Sequence, residues 1–245
     1  MKFRLPVLLP LTFCLTSCVQ EAATQEGNAS NSPEAQPAFP FDLDDDTHYL
    51  PVESTIDPSG FVIAGANTSQ EILALKELNG LPLSEIESLM RPGESDPRMS
   101  KSGFLGPDEK LLDVLVEDND FVTSHGLTHR QLAIPVLQLM RLADLNRAIH
   151  ESNPALYTAE FTHVDRNWKV EFFYTDGTQY SPFNDQTDSG HVYTITNLEN
   201  NQSLKIAKLV AIMIERYGFY EGHGTPYRVP PESIMALLGL EPNGD

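Results

Sequence analysis

The spacing of apolar residues changes near residue 154, and this change constrains the fold more than any other feature. Earlier in the chain, apolar side chains recur three or four positions apart, as Leu111, Leu112 and Leu115 do, which is typical of amphipathic helices. Residues 157–163 and 168–174 instead alternate apolar and polar side chains, as the strands of a β-hairpin do. Helices and strands that occupy separate parts of a chain predict an α+β fold. We expect about five to six helices packed on a small antiparallel sheet of three to four strands.

Capping signals predict where the first helices begin. Thr68 and Glu71 have the spacing of a capping box, in which each side chain bonds the other residue's backbone N–H, and Ser84 and Glu87 repeat that spacing. Asn79-Gly80 should end the first of these helices.

Three further helices are expected. One should open at Pro107, because proline suits the first helical position. Another should begin at Thr128, where Gln131 completes a capping box and Pro135 falls inside the helix. A long apolar helix should start at Ser203 and end at Gly218.

The second half contains the remaining elements. Asp176-Gly177 should form a tight turn, and residues 192–196 a third strand. A short closing helix should run from Pro230-Pro231-Glu232 to about Gly239.

The first twenty residues carry an export signal. Lys2 and Arg4 precede an apolar stretch, residues 5–15, that is too short to span a bilayer. The next residues, Leu15-Thr16-Ser17-Cys18, resemble the lipobox of bacterial lipoproteins. The alternative is an ordinary secretory signal with an incidental cysteine.

The lipobox resemblance implies a bacterial envelope protein. Residues 1–17 would be a signal peptide, and Cys18 would carry thioether-linked diacylglycerol and a further acyl chain such as palmitate. Several acyl chains anchor a protein to a membrane where one would hold only marginally. Val19 stands where an aspartate tends to retain lipoproteins at the inner membrane, so the resemblance favours the outer membrane of a Gram-negative cell. The periplasmic and the surface orientation both remain open.

The mature chain divides into two regions. Residues 18–66 should be a lipidated N-terminus followed by a flexible acidic tether, because large apolar side chains are scarce up to Phe39 and Phe41. Residues 67–245 should form a single α+β domain, with helices in 67–153 and the sheet with a buried helix in 154–245.

Charge excludes one class of partner. The 35 acidic residues outnumber the 16 Lys and Arg, which gives a formal net charge of -19. Binding to nucleic acid needs clustered cations that neutralise phosphates. We therefore expect no nucleic-acid partner.

Acidic residues near the tether partly match a calcium loop of the EF-hand type. Thr47 replaces the required glycine and Pro51 interrupts the loop, so a solvated acidic linker is the alternative. The candidate calcium ligands are Asp42, Asp44, Asp46 and Glu53.

A cluster of aromatic residues and glycines between residues 217 and 228 predicts a ligand-binding loop, because loops on rigid scaffolds often carry function. The alternative is that these aromatic side chains pack a structured connection against the sheet. The candidate binding residues are Tyr217, Tyr220, His223, Tyr227 and Arg228.

Catalytic motifs are scarce in this sequence. It contains neither a Gly-x-Ser-x-Gly elbow nor a Ser-x-x-Lys pair, and we predict no catalytic residue. The favoured function is a non-enzymatic binding or accessory module for a protein or cell-wall component. The alternative is a periplasmic or surface hydrolase, perhaps metal-assisted, in which at least three histidines converge with carboxylates. Its candidate residues are His125, His129, His163, His191 and His223. Paired carboxylates for glycosidic hydrolysis could come from Glu160, Glu171 and Asp176, and a solvated sheet face is the alternative for these three.

Overall fold

A computed structural model describes residues 39–42, 68–93, 99–150 and 156–240. The described ranges contain six helices and two antiparallel sheets, so the predicted α+β class is confirmed. The helices are α1 (Ser69–Leu73), α2 (Leu83–Leu89), α3 (Leu111–Ser124), α4 (His129–His150), α5 (Lys208–Tyr217) and α6 (Pro231–Leu238). The strands are β1 (Glu77–Leu78), β2 (Leu81–Pro82), β3 (Leu156–His163), β4 (Arg166–Tyr180), β5 (Asp188–Asn197) and β6 (Gln202–Ala207).

The main sheet has four strands in the order β3-β4-β5-β6, and each strand is antiparallel to its neighbours. Val164 and Asp165 connect β3 to β4, both with positive φ (49° and 54°). Such a two-residue turn matches the right-handed twist of the two strands that it joins. Chain order and sheet order therefore coincide, and the sheet is a simple meander.

One face of this sheet is buried and the other is open. Trp168, Phe172 and Tyr193 alternate with outward-facing neighbours and lie in the core. Helices α4, α5 and α6 contact the strands and cover the buried face. The opposite face carries exposed or half-buried polar side chains such as Thr194 and Lys205.

The capping boxes at Thr68 and Thr128 are confirmed. Thr68 N donates to Glu71 Oε2 over 2.8 Å, and Thr128 N donates to Gln131 Oε1 over 2.9 Å. The predicted box at Ser84 is wrong, because α2 begins after Pro82 without a side-chain cap. The carboxylate of Glu87 instead accepts from Leu111 N over 2.7 Å.

Four other predicted boundaries are also wrong. Asn79-Gly80 is the turn between β1 and β2, and α1 ends earlier, at Leu73. The helix expected at Pro107 begins at Leu111. Residues 203–207 are strand, so the last long helix starts at Lys208. Asp176-Gly177 lies within β4 instead of forming a turn between strands.

Part of the expected tether packs against the domain. Phe41 is 4% exposed, and its ring centroid lies 6.1 Å from that of His163. Gln138 Nε2 donates to Asp42 O over 2.6 Å. Phe41 therefore belongs to the core and Phe39 packs against it, because these two phenylalanines supply apolar area that the surrounding polar sequence lacks. The signal peptide, Cys18 and the rest of the tether lie outside the described residues.

Among the helices of the described ranges, we find none with the length and apolarity that a membrane crossing requires.

Candidate functional site

A cleft of ≈ 520 Å³ lies beside the bulged part of β4. Its walls come from residues 99–102, from β4 after Phe173, from β5 between Ser189 and Val192, from the end of β6 and from Tyr227. This volume falls within the ~300–1,000 Å³ typical of small-molecule sites. Segments far apart in the sequence thus meet at one site.

A large β-bulge shapes this cleft. Tyr174 pairs with His191, but the next pair is Gln179 with Ser189, so four β4 residues stand opposite Gly190 alone. A Cβ on Gly190 would collide with the carbonyl oxygen of Gly177. Bulges of this kind redirect side chains and are common beside functional sites. Glycine at position 190 therefore lets the bulge lie against β5.

The lining residues combine apolar, hydroxyl and cationic groups. Phe173 is 52% exposed and Tyr227 is 45% exposed, which is unusual for large aromatic side chains. Hydroxyl-bearing residues surround them, and among these Thr175 Oγ1 donates to Gly190 O over 2.8 Å. The hydroxyl-bearing lining residues with non-aromatic side chains are Ser100, Ser102, Thr175, Thr178 and Ser189.

Two lysines line this cleft, in a protein whose formal net charge is -19. Lys101 and Lys205 both line it, and no acidic residue stands among its described lining residues. Within the described ranges neither lysine forms an ion pair, whereas Lys169 binds Glu171 over 3.1 Å on the same sheet. The cleft therefore offers two ammonium groups to an external anion.

Three of the five predicted binding residues make internal polar contacts and do not line the cleft. The Tyr217 hydroxyl donates to Asp185 Oδ2 over 2.8 Å, and the Tyr220 hydroxyl lies 2.9 Å from His129 Nδ1. Arg228 binds Asp118 with an N–O distance of 2.6 Å. These groups are satisfied internally, as buried polar atoms generally are. Tyr217 and Tyr220 are buried, as the alternative of packed aromatic side chains expects, and Arg228 is held by Asp118.

The other two predicted binding residues are exposed. His223 Nε2 lies 3.2 Å from Glu117 Oε2 on the surface of α3 and does not line the cleft. Tyr227 does line it.

Burial shifts the pKa of several groups around this loop. It raises the pKa of Glu221 to about 8 and outweighs the hydrogen bond from Thr225, which lowers it. It lowers the pKa of His129 to about 4. In both cases the low-polarity surroundings disfavour the charged form. Burial therefore favours the neutral forms of Glu221 and His129 in the folded state.

The histidines considered for metal-assisted hydrolysis lie in separate surroundings. His125 contacts the carbonyl of Phe121, His129 contacts Tyr220, and His191 packs against Phe172 at 5.1 Å between ring centroids. His163 is on β3 and His191 on β5, with β4 between them. No group of three metal-ligating side chains forms within the described residues.

Two of the remaining carboxylate candidates lie beside the same lysine. Glu171 binds Lys169, and Glu160 stands opposite Lys169 across the sheet. The side chain of Asp176 lies outside the described residues. Asp44, Asp46 and Glu53 of the predicted calcium loop also lie outside the described residues. Asp42 is the candidate calcium ligand that the structure describes, and its side chain is exposed. Calcium binding stays a prediction.

No protein-family model, curated protein or solved structure matches this chain.

Proposed function

We propose that this chain is an exported, lipid-anchored envelope protein whose domain is a non-enzymatic module that binds a cell-wall component. The observation that carries the binding role is the cleft, where exposed aromatic residues meet two lysines that pair with no described carboxylate. Pockets with apolar surface and a few converging polar groups are the usual sites of ligand recognition.

The anchor part of this proposal rests on the lipobox resemblance at Leu15-Thr16-Ser17-Cys18. Multiple acyl chains on Cys18 would hold the protein at the bacterial envelope, and Val19 favours the outer membrane. A ligand on the cell wall would then lie near the anchored domain.

Lipid attachment is tested with a Cys18→Ser variant. We expect the native protein to fractionate with membranes and to carry the mass of its acyl chains, and the variant to lose both properties together. Intact-mass measurement and cell fractionation provide the two readouts. A native protein without added lipid mass would refute the anchor.

Wall binding is tested by cosedimentation of the full chain, purified in detergent, with isolated cell-wall sacculi. We expect Phe173→Ala to reduce the bound fraction, because its exposed ring belongs to the cleft. Leu73→Ala is a matched control, since Leu73 is 55% exposed and lies outside the cleft. The proposal fails if the native chain does not cosediment, or if the two variants bind equally.

A further inference from the structure

We infer that the cleft recognises an anionic saccharide, with Lys101 and Lys205 binding its acidic group and the exposed aromatic residues contacting its sugar ring. This inference rests on the proposed binding function and specifies the ligand's chemistry. It starts from an imbalance of charge, because a chain with net charge -19 has two lysines and no acidic residue among the described lining residues of its cleft.

Several other cations of the described chain are already used in ion pairs. Arg216 binds Asp185 over 3.0 Å, and Lys208 binds Asp144 over 3.4 Å. Lys101 and Lys205 are exposed and form no such pair with a described residue. An ammonium group is a compact point charge that accepts a carboxylate or a phosphate without the bidentate geometry that arginine prefers. Either anion therefore fits these two groups.

The neutral part of the ligand is indicated by the other lining residues. Phe173, Val192 and Ala207 are neighbours on the open face of the sheet, since Val192 pairs with both Phe173 and Ala207. They form an apolar surface with hydroxyl-bearing residues around it. A sugar ring has the complementary character, with C–H groups on its faces and hydroxyl groups at its edge.

Over the apolar surface of Phe173 and Val192 a peptide fits less well, because this part of the cleft lies on paired strands. β4 is hydrogen-bonded to β3 and β5, and β5 to β4 and β6. The backbone groups of Phe173 and Val192 are therefore committed to the sheet, and a peptide cannot bind over them by adding a strand, as it does at an open sheet edge. Recognition at this face has to come from side chains.

The experiment uses the full chain in detergent and measures Kd by calorimetry with three probes. The first is a cell-wall disaccharide that carries a carboxylate, and the second is the same disaccharide with that carboxylate reduced to an alcohol. The third is a disaccharide phosphate of the kind found in lipid headgroups. We expect an anionic probe to bind at least about tenfold more tightly than the neutral one, which corresponds to about 1.4 kcal/mol.

Matched lysine variants connect this preference to the cleft. Lys101→Gln and Lys205→Gln should each weaken binding of the anionic probe about tenfold. Lys76→Gln should leave it unchanged, because Lys76 is also exposed but does not line the cleft. Since all three lysines are exposed, each variant should keep the native circular dichroism spectrum.

The outcomes separate this inference from the proposed function. The anionic probe with the lower Kd shows whether the acidic group is a cell-wall carboxylate or a lipid-headgroup phosphate. Equal binding of the neutral disaccharide, or lysine variants with native Kd, overturns the inference. If no saccharide binds while cosedimentation with sacculi still depends on Phe173, the inference fails and the proposed function stands. If that dependence is also absent, both fail.

Discussion

The carboxylate of Glu109 fills the space beside Gly222. Its Oε2 accepts from Gly106 N over 2.6 Å and lies where a Cβ on Gly222 would be placed. We expect Gly222→Ala to lower the free energy of unfolding by about 1–3 kcal/mol, as overpacking does. Urea denaturation measures this change.

Gly224→Ala is the control for this substitution. The nearest atom to its Cβ would be Gly106 Cα at 3.3 Å, so a small adjustment accommodates it. Equal destabilisation by the two alanine variants would contradict the steric role of Glu109.

Glu221 makes stability depend on pH. Burial raises its pKa from 4.5 to about 8, so the folded state binds more protons than the unfolded state in that interval. Its stabilising contribution is complete below pH 4.5 and is lost as the pH rises through 8. We expect Glu221→Gln to flatten the decline in unfolding free energy above pH 6.5, where the native slope is up to about 1.4 kcal/mol per pH unit.

His129 has the opposite dependence. Burial lowers its pKa from 6.5 to about 4, so its contribution is present above pH 6.5 and is lost as the pH falls through 4. Measurements of the unfolding free energy between pH 6.5 and 8 therefore distinguish the contribution of Glu221 from that of His129. Asp118, whose pKa burial also raises, is present in both proteins and cancels in the comparison. An unchanged slope in Glu221→Gln would show that Glu221 is ionised in the folded state.

At the scale of elements, one ion pair attaches α5 to the loop between β4 and β5. Arg216 and Tyr217 at the end of α5 both contact Asp185 Oδ2, over 3.0 Å and 2.8 Å. We expect Asp185→Ala to lower the free energy of unfolding by about 3–5 kcal/mol, because it leaves a buried guanidinium group without its carboxylate partner. Chemical denaturation measures the loss.

The exposed pair between Lys169 and Glu171 provides the comparison. Both side chains are about one third or more accessible to solvent, and such pairs contribute about 0–1 kcal/mol. Glu171→Ala should therefore change stability little. A similar loss in the two variants would mean that burial does not strengthen the dependence on Asp185.

Several elements were predictable because their signals are local. Thr128 and Gln131 are three residues apart, and both groups of that capping box form. Ser84 and Glu87 have the same spacing, yet Glu87 binds the backbone of Leu111 24 residues away. Residues 203–207 pair with β5, although their apolar pattern continues directly into α5 and predicts a helix. Strand pairing there overrides the local helical pattern.

The cleft was not predictable in this way. Only Tyr227 was among the predicted binding residues, whereas Lys101 and Lys205 come from segments without a local motif. Phe173 gave a partial signal of a binding surface. A large aromatic side chain stands there at a position where the alternation of the strand predicts an outward-facing polar residue. Bringing these residues together depends on the β4 bulge, which follows from sheet register and not from local sequence.

At the scale of the whole molecule, the net charge of -19 opposes the charge of the two cleft lysines. A distant anionic ligand experiences mainly the net charge, and salt shortens that reach from ~30 Å at 0.01 M to ~8 Å at 0.15 M. We expect the association rate constant of an anionic saccharide to rise over this range of salt. Stopped-flow measurements should show no such rise for its neutral analogue, and a fall in the anionic rate would contradict the repulsion.

The buried position of Trp168 gives the molecule an internal optical reporter. It is the only tryptophan of the chain, it is 0% exposed, and its indole N–H donates to His163 O over 3.1 Å. Tryptophan emission therefore originates from a single shielded site beside the β3–β4 turn. A shift of that emission to longer wavelength marks the entry of water into the core, and a ligand that occupies the cleft without opening the domain leaves its wavelength unchanged.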